Sequence, residues 1–421
     1  MKLKQQQLFM VMLACTLLVC SIAMAQIKPE IKNAPTSVQY QYIGSFDPNK
    51  MDKIVNAELE EFLTGSPMPF SNFKGKFAKA KYTVKLYKVI YKSVVPEMGN
   101  MPTRASGLVA IPETGLDSMP VVSYQHGTVF GKDQVPSVPE ESMETKLMLA
   151  QFAAQGYIVI GADYFGMGIS DLPNSYLIRG SSEQAAVDML FAAKDVLAAQ
   201  KIKSGPLFTH GWSQGGWTNM TFLRKLESLN IPVAAAATAS APIDAFATIN
   251  RWVNNYQPID AVYLPGCASN FLFATEFYEK MPGLVARAVR PEYYQLARDF
   301  YEFKIDWTSF RKQTPAKLQD YLRPEFMATG NLGMDAYWQM LERYQAYRWR
   351  CKTPLINYYG EKDEVVPIYI ATLAEGFHGL FGTNTTRAVS AGPDADHRAT
   401  YVYSVIHVKS FFDSFLTKKN K

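Results

Sequence analysis

Leu207-Phe208-Thr209-His210-Gly211-Trp212-Ser213-Gln214-Gly215-Gly216-Trp217 is the stretch on which the reading of this chain turns. Leu207–Thr209 is a short apolar run of the kind a buried strand needs, and residues 217–229 carry a helical pattern. Between them lies Gly-x-Ser-x-Gly, from Gly211 to Gly215. A strand–turn–helix setting gives that pattern a mechanical meaning. The sharp turn forces strained backbone angles on Ser213. Glycines two places before and two after let the chain pass close by. The hydroxyl is pushed out at the carboxyl end of the strand, beside a helix N-terminus that stabilises developing negative charge. Ser213 is therefore the expected nucleophile.

Similar apolar runs lie on either side. Pro120–Tyr124, Tyr157–Ile160, Val233–Ala237 and Leu355–Tyr358 each read as a strand buried on both faces. Helical patterns separate them. Residues 143–155 form one. Residues 181–200 form the clearest, with Ser181 and Gln184 spaced as a capping box. Alternating strands and helices predict an α/β fold with a mostly parallel sheet flanked by helices. Before it, Tyr82, Val84 and Leu86 alternate with polar residues, and Arg104–Ile111 reads as the neighbouring strand. A short helix is expected over Met51–Leu63.

The segment 244–350 is different. It is crowded with aromatics such as Trp252, Tyr263, Phe271, Tyr301, Trp307 and Trp338, and its periodicities are helical, as at Met340–Trp349. It reads as a helical cap inserted into the sheet domain, most of its aromatics forming core. The alternative is a separate helical domain. The expected division is a signal segment over 1–25, core over 26–243, cap over 244–350, and core again over 351–421.

A serine nucleophile needs a base, and the base an orienting acid. Of the five histidines, His126 and His210 precede Ser213, and His378 and His407 fall in helical stretches where packing or surface roles are expected. His397 sits in Gly392-Pro393-Asp394-Ala395-Asp396-His397, a turn-rich loop before the last helix, and is the expected base. Asp363, in the loop after Leu355–Tyr358, is the expected acid, with Glu361, Glu364, Asp394 and Asp396 as rivals nearby. The oxyanion would be held by the backbone amides of Gln214 and of Thr128, the latter in Gln125-His126-Gly127-Thr128. His126 is expected to hold that loop by hydrogen bonds rather than to move protons. Ala162–Gly168 carries two glycines but no full phosphate-binding pattern and reads as a structural turn.

Composition sets limits. Apolar residues are 48% and charged residues 19%, which excludes whole-chain disorder. The formal charge of +5 is spread thinly and no basic run occurs, so nucleic acid is not an expected partner. Lys2 and Lys4 precede an apolar run over residues 8–24, and Ala23-Met24-Ala25 follows the small-x-small pattern of a signal-peptidase site. Export with cleavage near Ala25, to the periplasm or beyond, is expected. The uncleaved run would be short for a membrane span, and no later stretch is long and apolar enough to be one. Export would place Cys267 and Cys351 where a disulfide can form; two free buried thiols are the alternative. No CxxC or HExxH spacing suggests a metal, and the chemistry calls for no cofactor.

His126-Gly127, Gly211-Trp212-Ser213-Gln214-Gly215, Asp363 and His397, in that order, resemble the α/β-hydrolase superfamily over most of residues 80–421. Ala105–Pro112, Tyr124–Thr128, Asp163–Gly166 and the long cap resemble, more narrowly, the secretory lipase-type esterases. That resemblance implies hydrolysis of carboxylic esters, small-molecule or lipid, with acyl chains held under the cap. A serine peptidase would use the same machinery, and a binding protein on a hydrolase scaffold is the third reading.

Overall fold

Among the described residues the strands form one ten-stranded sheet: β1 (Ile31–Asn33), β2 (Gln39–Phe46), β3 (Val84–Val95), β4 (Met101–Pro112), β5 (Ser118–Gln125), β6 (Ile158–Ala162), β7 (Lys203–Trp212), β8 (Ala235–Ala239), β9 (Leu355–Tyr359) and β10 (Thr386–Ser390). The structure is a computed structural model and describes residues 31–33, 38–327, 335–382 and 385–416. The stretch read as an export signal, residues 1–25, lies outside the described residues.

Spatial order is β1-β2-β3-β4-β6-β5-β7-β8-β9-β10. β2, β3 and β4 form an antiparallel meander, and β4 also meets β6 antiparallel. From β6 to β10 every pairing is parallel. Parallel neighbours need crossovers, and the helices Met143–Gln151, Arg179–Ala199, Gln214–Ser228, Ile368–Gly379 and His397–Leu416 supply them or cover the faces. Strand alternation feeds two cores. Val121, Ile158 and Ile160 join one face, while Val122, Val159 and Phe208 join the other.

Between β8 and β9 the described residues form helices, from Ala245–Asn254 to Asp335–Arg343, and no named strand. Their aromatics pack in stacked and edge-on pairs, such as Phe300 with Phe310 at 4.2 Å. They join the same hydrophobic core as Val121 and Ile160. Among the described residues, those from Lys32 onward cluster as one compact unit.

Three local expectations change. The Ser181–Gln184 capping box does not form. The helix begins at Arg179, and Glu97 reaches across from the β3–β4 turn instead. Glu97 accepts hydrogen bonds from the Ser181 amide at 2.9 Å and the Ser181 hydroxyl at 2.7 Å. The helix expected at Met340–Trp349 ends at Arg343. There the core captures the chain: the Trp217 indole donates to the Tyr344 carbonyl and the Ala346 amide to the Ile243 carbonyl. The Met51–Leu63 helix is broken in the middle by a wider turn over Ile54–Glu58.

Candidate active site

Ser213 stands between β7 and the helix Gln214–Ser228, with φ 57° and ψ −124°. L-residues rarely hold this region, and the cost is of order 1–3 kcal/mol. Close packing enforces it. A side chain at Gly211 would run into the Gly215 carbonyl, and one at Gly215 into the Gln125 carbonyl. The glycines thus let the turn fold on itself and press against the end of β5. The Ser213 amide donates to Ala239 of β8 at 2.9 Å, which ties the turn to the sheet's other side.

His397 is the first residue of the last helix rather than part of the loop before it. Its Nδ1 lies 2.9 and 3.1 Å from the two Asp363 carboxylate oxygens. Asp363 Oδ1 also accepts the Val365 and Val366 amides at 2.9 and 2.8 Å. Burial alone would raise the Asp363 pKa, but the charge and hydrogen bond of His397 and further hydrogen bonds outweigh it, and the carboxyl is held below its ordinary value. Burial alone would lower His397. The Asp363 charge and hydrogen bond reverse this and hold the imidazole above 6.5.

The rival acids have other partners. Asp394 pairs with Lys362 on the surface, Glu361 accepts from the Ser390 hydroxyl, and Asp396 accepts the Ala399 amide at the start of the last helix. Glu364 hydrogen-bonds the His397 backbone rather than its ring: it accepts the His397 amide at 3.0 Å and the Tyr263 hydroxyl at 3.2 Å, and its charge adds to that of Asp363 in favouring the imidazolium. The remaining histidines also lie elsewhere. His210 is buried against Ser404, and burial pushes its pKa down to about 3. His378 lies between Thr386 and the Tyr347 carbonyl, and His407 stacks on Tyr403.

His126 holds its loop as expected. Its Nδ1 lies 2.8 Å from the Gly127 carbonyl, and its ring stacks on Tyr164 at 4.2 Å. Thr128 is pinned by its hydroxyl, 2.7 Å from the Tyr176 hydroxyl. Asp163 accepts from the Ser106 hydroxyl and the Ser137 amide, so the glycine-bearing turn after β6 is structural.

Ser213, His397, Thr128 and Gln214 line one cavity of about 340 Å3. Phe130, Leu177, Trp252, Trp307 and Val365 give it an apolar side, with Trp252 and Trp307 coming from the segment between β8 and β9. Gln134, Glu141, Ser142 and Glu144 give it a polar one. Asp363 sits behind His397 rather than in the cavity wall, and Trp212 lies beneath, its indole donating to the His397 carbonyl at 3.0 Å.

The expected disulfide is absent. Cys267 and Cys351 are free and buried. Cys267 lines the cavity, and burial pushes its thiol up to about 12. Cys351 lies beside Glu227 and the Thr353 carbonyl. Cys267 has Tyr176 as a partner, so the two thiols sit among different neighbours. Glu144, at the polar side of the cavity, escaped the sequence reading. It looks there like an ordinary acid in the first turn of a helix, and its partner Gly127 lies 17 residues away.

No protein-family model matches the chain, and no curated protein matches it. Solved structures do. A Legionella pneumophila protein assigned as a hydrolase superposes with a TM-score of 0.78 at 23% identity, covering 93% of this chain and 99% of its own. A variant of LipA, a rice cell wall degrading esterase from Xanthomonas oryzae, gives 0.76 at 20% identity over 89% of this chain and 98% of its own. Candida antarctica lipase A in its closed state gives 0.64 at 14% identity, over 82% and 84%. By strand order, by the turn at Ser213 and by these likenesses, the chain has the α/β-hydrolase fold.

Proposed function

We propose that this protein is an exported serine hydrolase that cleaves carboxylic esters. The observation that carries the reading is the meeting, in one cavity, of a serine on a strained turn and an imidazole already paired to a buried carboxylate. Esterases and lipases among the structural neighbours support the same chemistry.

The steps follow from the groups present. Ser213 Oγ attacks the ester carbonyl carbon while His397 Nε2, the ring nitrogen opposite Asp363, takes its proton. The carbonyl oxygen becomes an oxyanion and is held by the Thr128 and Gln214 amides. Collapse breaks the C–O bond, and the alcohol leaves with the proton from His397. Water, deprotonated by the same imidazole, then attacks the acyl-enzyme and frees the acid. Asp363 stabilises the imidazolium at each half-reaction. The apolar side of the cavity suits an acyl or aryl group. Each oxyanion donor contributes about 3 kcal/mol to lowering the barrier.

The test uses p-nitrophenyl esters from acetyl to long acyl, with fluorophosphonate labelling. Ser213→Ala is expected to abolish both turnover and labelling while melting as a folded protein. Unchanged turnover in that variant refutes the reading. Export is tested by fractionating cells and sequencing the N-terminus of the recovered protein, expected to begin at Gln26.

A further inference from the structure

Glu144 takes no part in the steps above, yet it is 6% exposed and lines the reaction cavity. Its Oε2 accepts the Gly127 amide at 2.8 Å. Gly127 is the residue before Thr128, whose amide is one of the two proposed oxyanion donors.

We propose that Glu144 is a positioning residue of the oxyanion hole, holding the Gly127 amide so that the Thr128 amide keeps its aim at the substrate oxygen. The inference rests on the esterase reading and deepens it.

Two consecutive peptide planes are involved. The plane between His126 and Gly127 is held on its N–H side by Glu144 and on its carbonyl side by Tyr164, whose hydroxyl donates to the His126 carbonyl at 3.1 Å. The plane between Gly127 and Thr128 is fixed by His126, whose ring nitrogen lies 2.8 Å from the Gly127 carbonyl. In a trans peptide the N–H and C=O of one plane point in opposite directions. Holding the Gly127 carbonyl toward His126 therefore turns the Thr128 N–H the other way. Gly127 has no side chain to restrict its own dihedrals, so loss of the Glu144 hold, with Tyr164 alone left on the preceding plane, lets the following plane shift.

Glu144 is well placed to act as an anchor because it is anchored itself. Ser142 caps its helix by accepting the Thr145 amide at 3.2 Å. The Glu144 carbonyl accepts the Tyr401 hydroxyl at 2.9 Å, and Tyr401 belongs to the helix that begins with His397. Tyr401 in turn stacks on Trp212 at 4.9 Å. One residue thus joins the oxyanion loop to the element carrying the base. Burial pushes the Glu144 carboxyl up to about 8, so a neutral amide of the same shape is a close substitute for it near neutral pH.

The experiment measures kcat and KM on a short p-nitrophenyl ester, inhibition by phenylboronic acid, and melting, for wild type, Glu144→Ala, Glu144→Met and Glu144→Gln. Phenylboronic acid bonds reversibly to the Ser213 oxygen and forms a tetrahedral adduct with an oxygen in the hole. Loss of aim is expected to lower kcat about 10-fold in E144A and E144M, part of the ~10²-fold or more lost with a whole donor. Phenylboronic acid binding should weaken by a similar factor, while KM stays within about 2-fold. E144Q, which still accepts the amide, should restore kcat to within about 3-fold. E144M fills the volume without a strong acceptor and serves should E144A fail to fold. Wild-type kcat in E144A or E144M, with only the melting temperature lowered, overturns the proposal. So does an E144Q as impaired as E144A. If wild type itself neither turns over esters nor takes the fluorophosphonate, it is the esterase reading that fails. If wild type does both and the variants match it, only the role of Glu144 fails.

Discussion

Ser213 is held by main chain packed against main chain, whereas the Asp363–His397 pair across the cavity is held by a mixture of side-chain and main-chain hydrogen bonds, some of the supporting ones from the segment between β8 and β9. On the serine side, Gly211, Gly215 and the end of β5 meet with no room for a single methyl group. On the acid side, the Trp252 indole donates to the Val365 carbonyl at 2.7 Å, the Ala261 amide to the Glu364 carbonyl at 3.1 Å, and the Tyr263 hydroxyl to Glu364. All three donors come from the segment between β8 and β9. The position of Ser213 is thus a property of the sheet. The Asp363–His397 pair depends in part on the segment between β8 and β9, which also lines the cavity.

The strongest way to break this contrast is Asp363→Asn. Without the carboxylate the imidazole loses its orientation, and kcat should fall about 10³–10⁴-fold. The pH profile sharpens the same test. Activity needs neutral His397, whose pKa lies above 6.5, so wild-type kcat/KM should decline as pH falls through a value above 6.5. Removing the anion lowers that pKa, so the residual activity of D363N should persist to lower pH. An acid limb that does not move would mean that the pair is not what titrates.

Gly215→Ala probes the serine side. The added methyl meets the Gln125 backbone, which cannot step aside, so a loss of about 3 kcal/mol or more in stability is expected in thermal melts, with activity falling alongside. Wild-type melting in G215A would show that the close crossing is not as drawn. Trp252→Phe probes the cap side and should do less. It strips the Val365 carbonyl of a buried donor, for about 1–2 kcal/mol. Short-ester kcat should fall only a few-fold, while the preference among acyl lengths shifts, because Trp252 lines the cavity. The smallest effect is expected from dithiothreitol. With Cys267 and Cys351 free, reductant should leave the melting temperature unchanged; a drop of several degrees would restore the disulfide.

The serine side was also the legible side. Gly-x-Ser-x-Gly states its own geometry, because each glycine answers a contact within four residues or at the neighbouring strand end. The acid side could be narrowed to a loop but not resolved by spacing alone. Four other carboxylates lie within reach in sequence, and only the fold shows that Asp396 serves a helix start and Glu364 a backbone amide while Asp363 meets the ring. Ser181 and Gln184 had the right spacing for a cap, but Glu97 from a distant turn took the Ser181 amide. Glu144 left no local trace, since a carboxylate in a first helical turn is expected whether or not it holds a loop elsewhere.

The left-handed backbone at Ser213 has a bearing on how such a chain responds to selection. Glycine adopts those dihedrals freely, so replacing the serine with glycine would relax the turn while deleting the proposed nucleophile. Heat resistance and turnover pull in opposite directions at that codon. Any screen of random variants that rewards survival at high temperature without also demanding product would enrich inert chains there first.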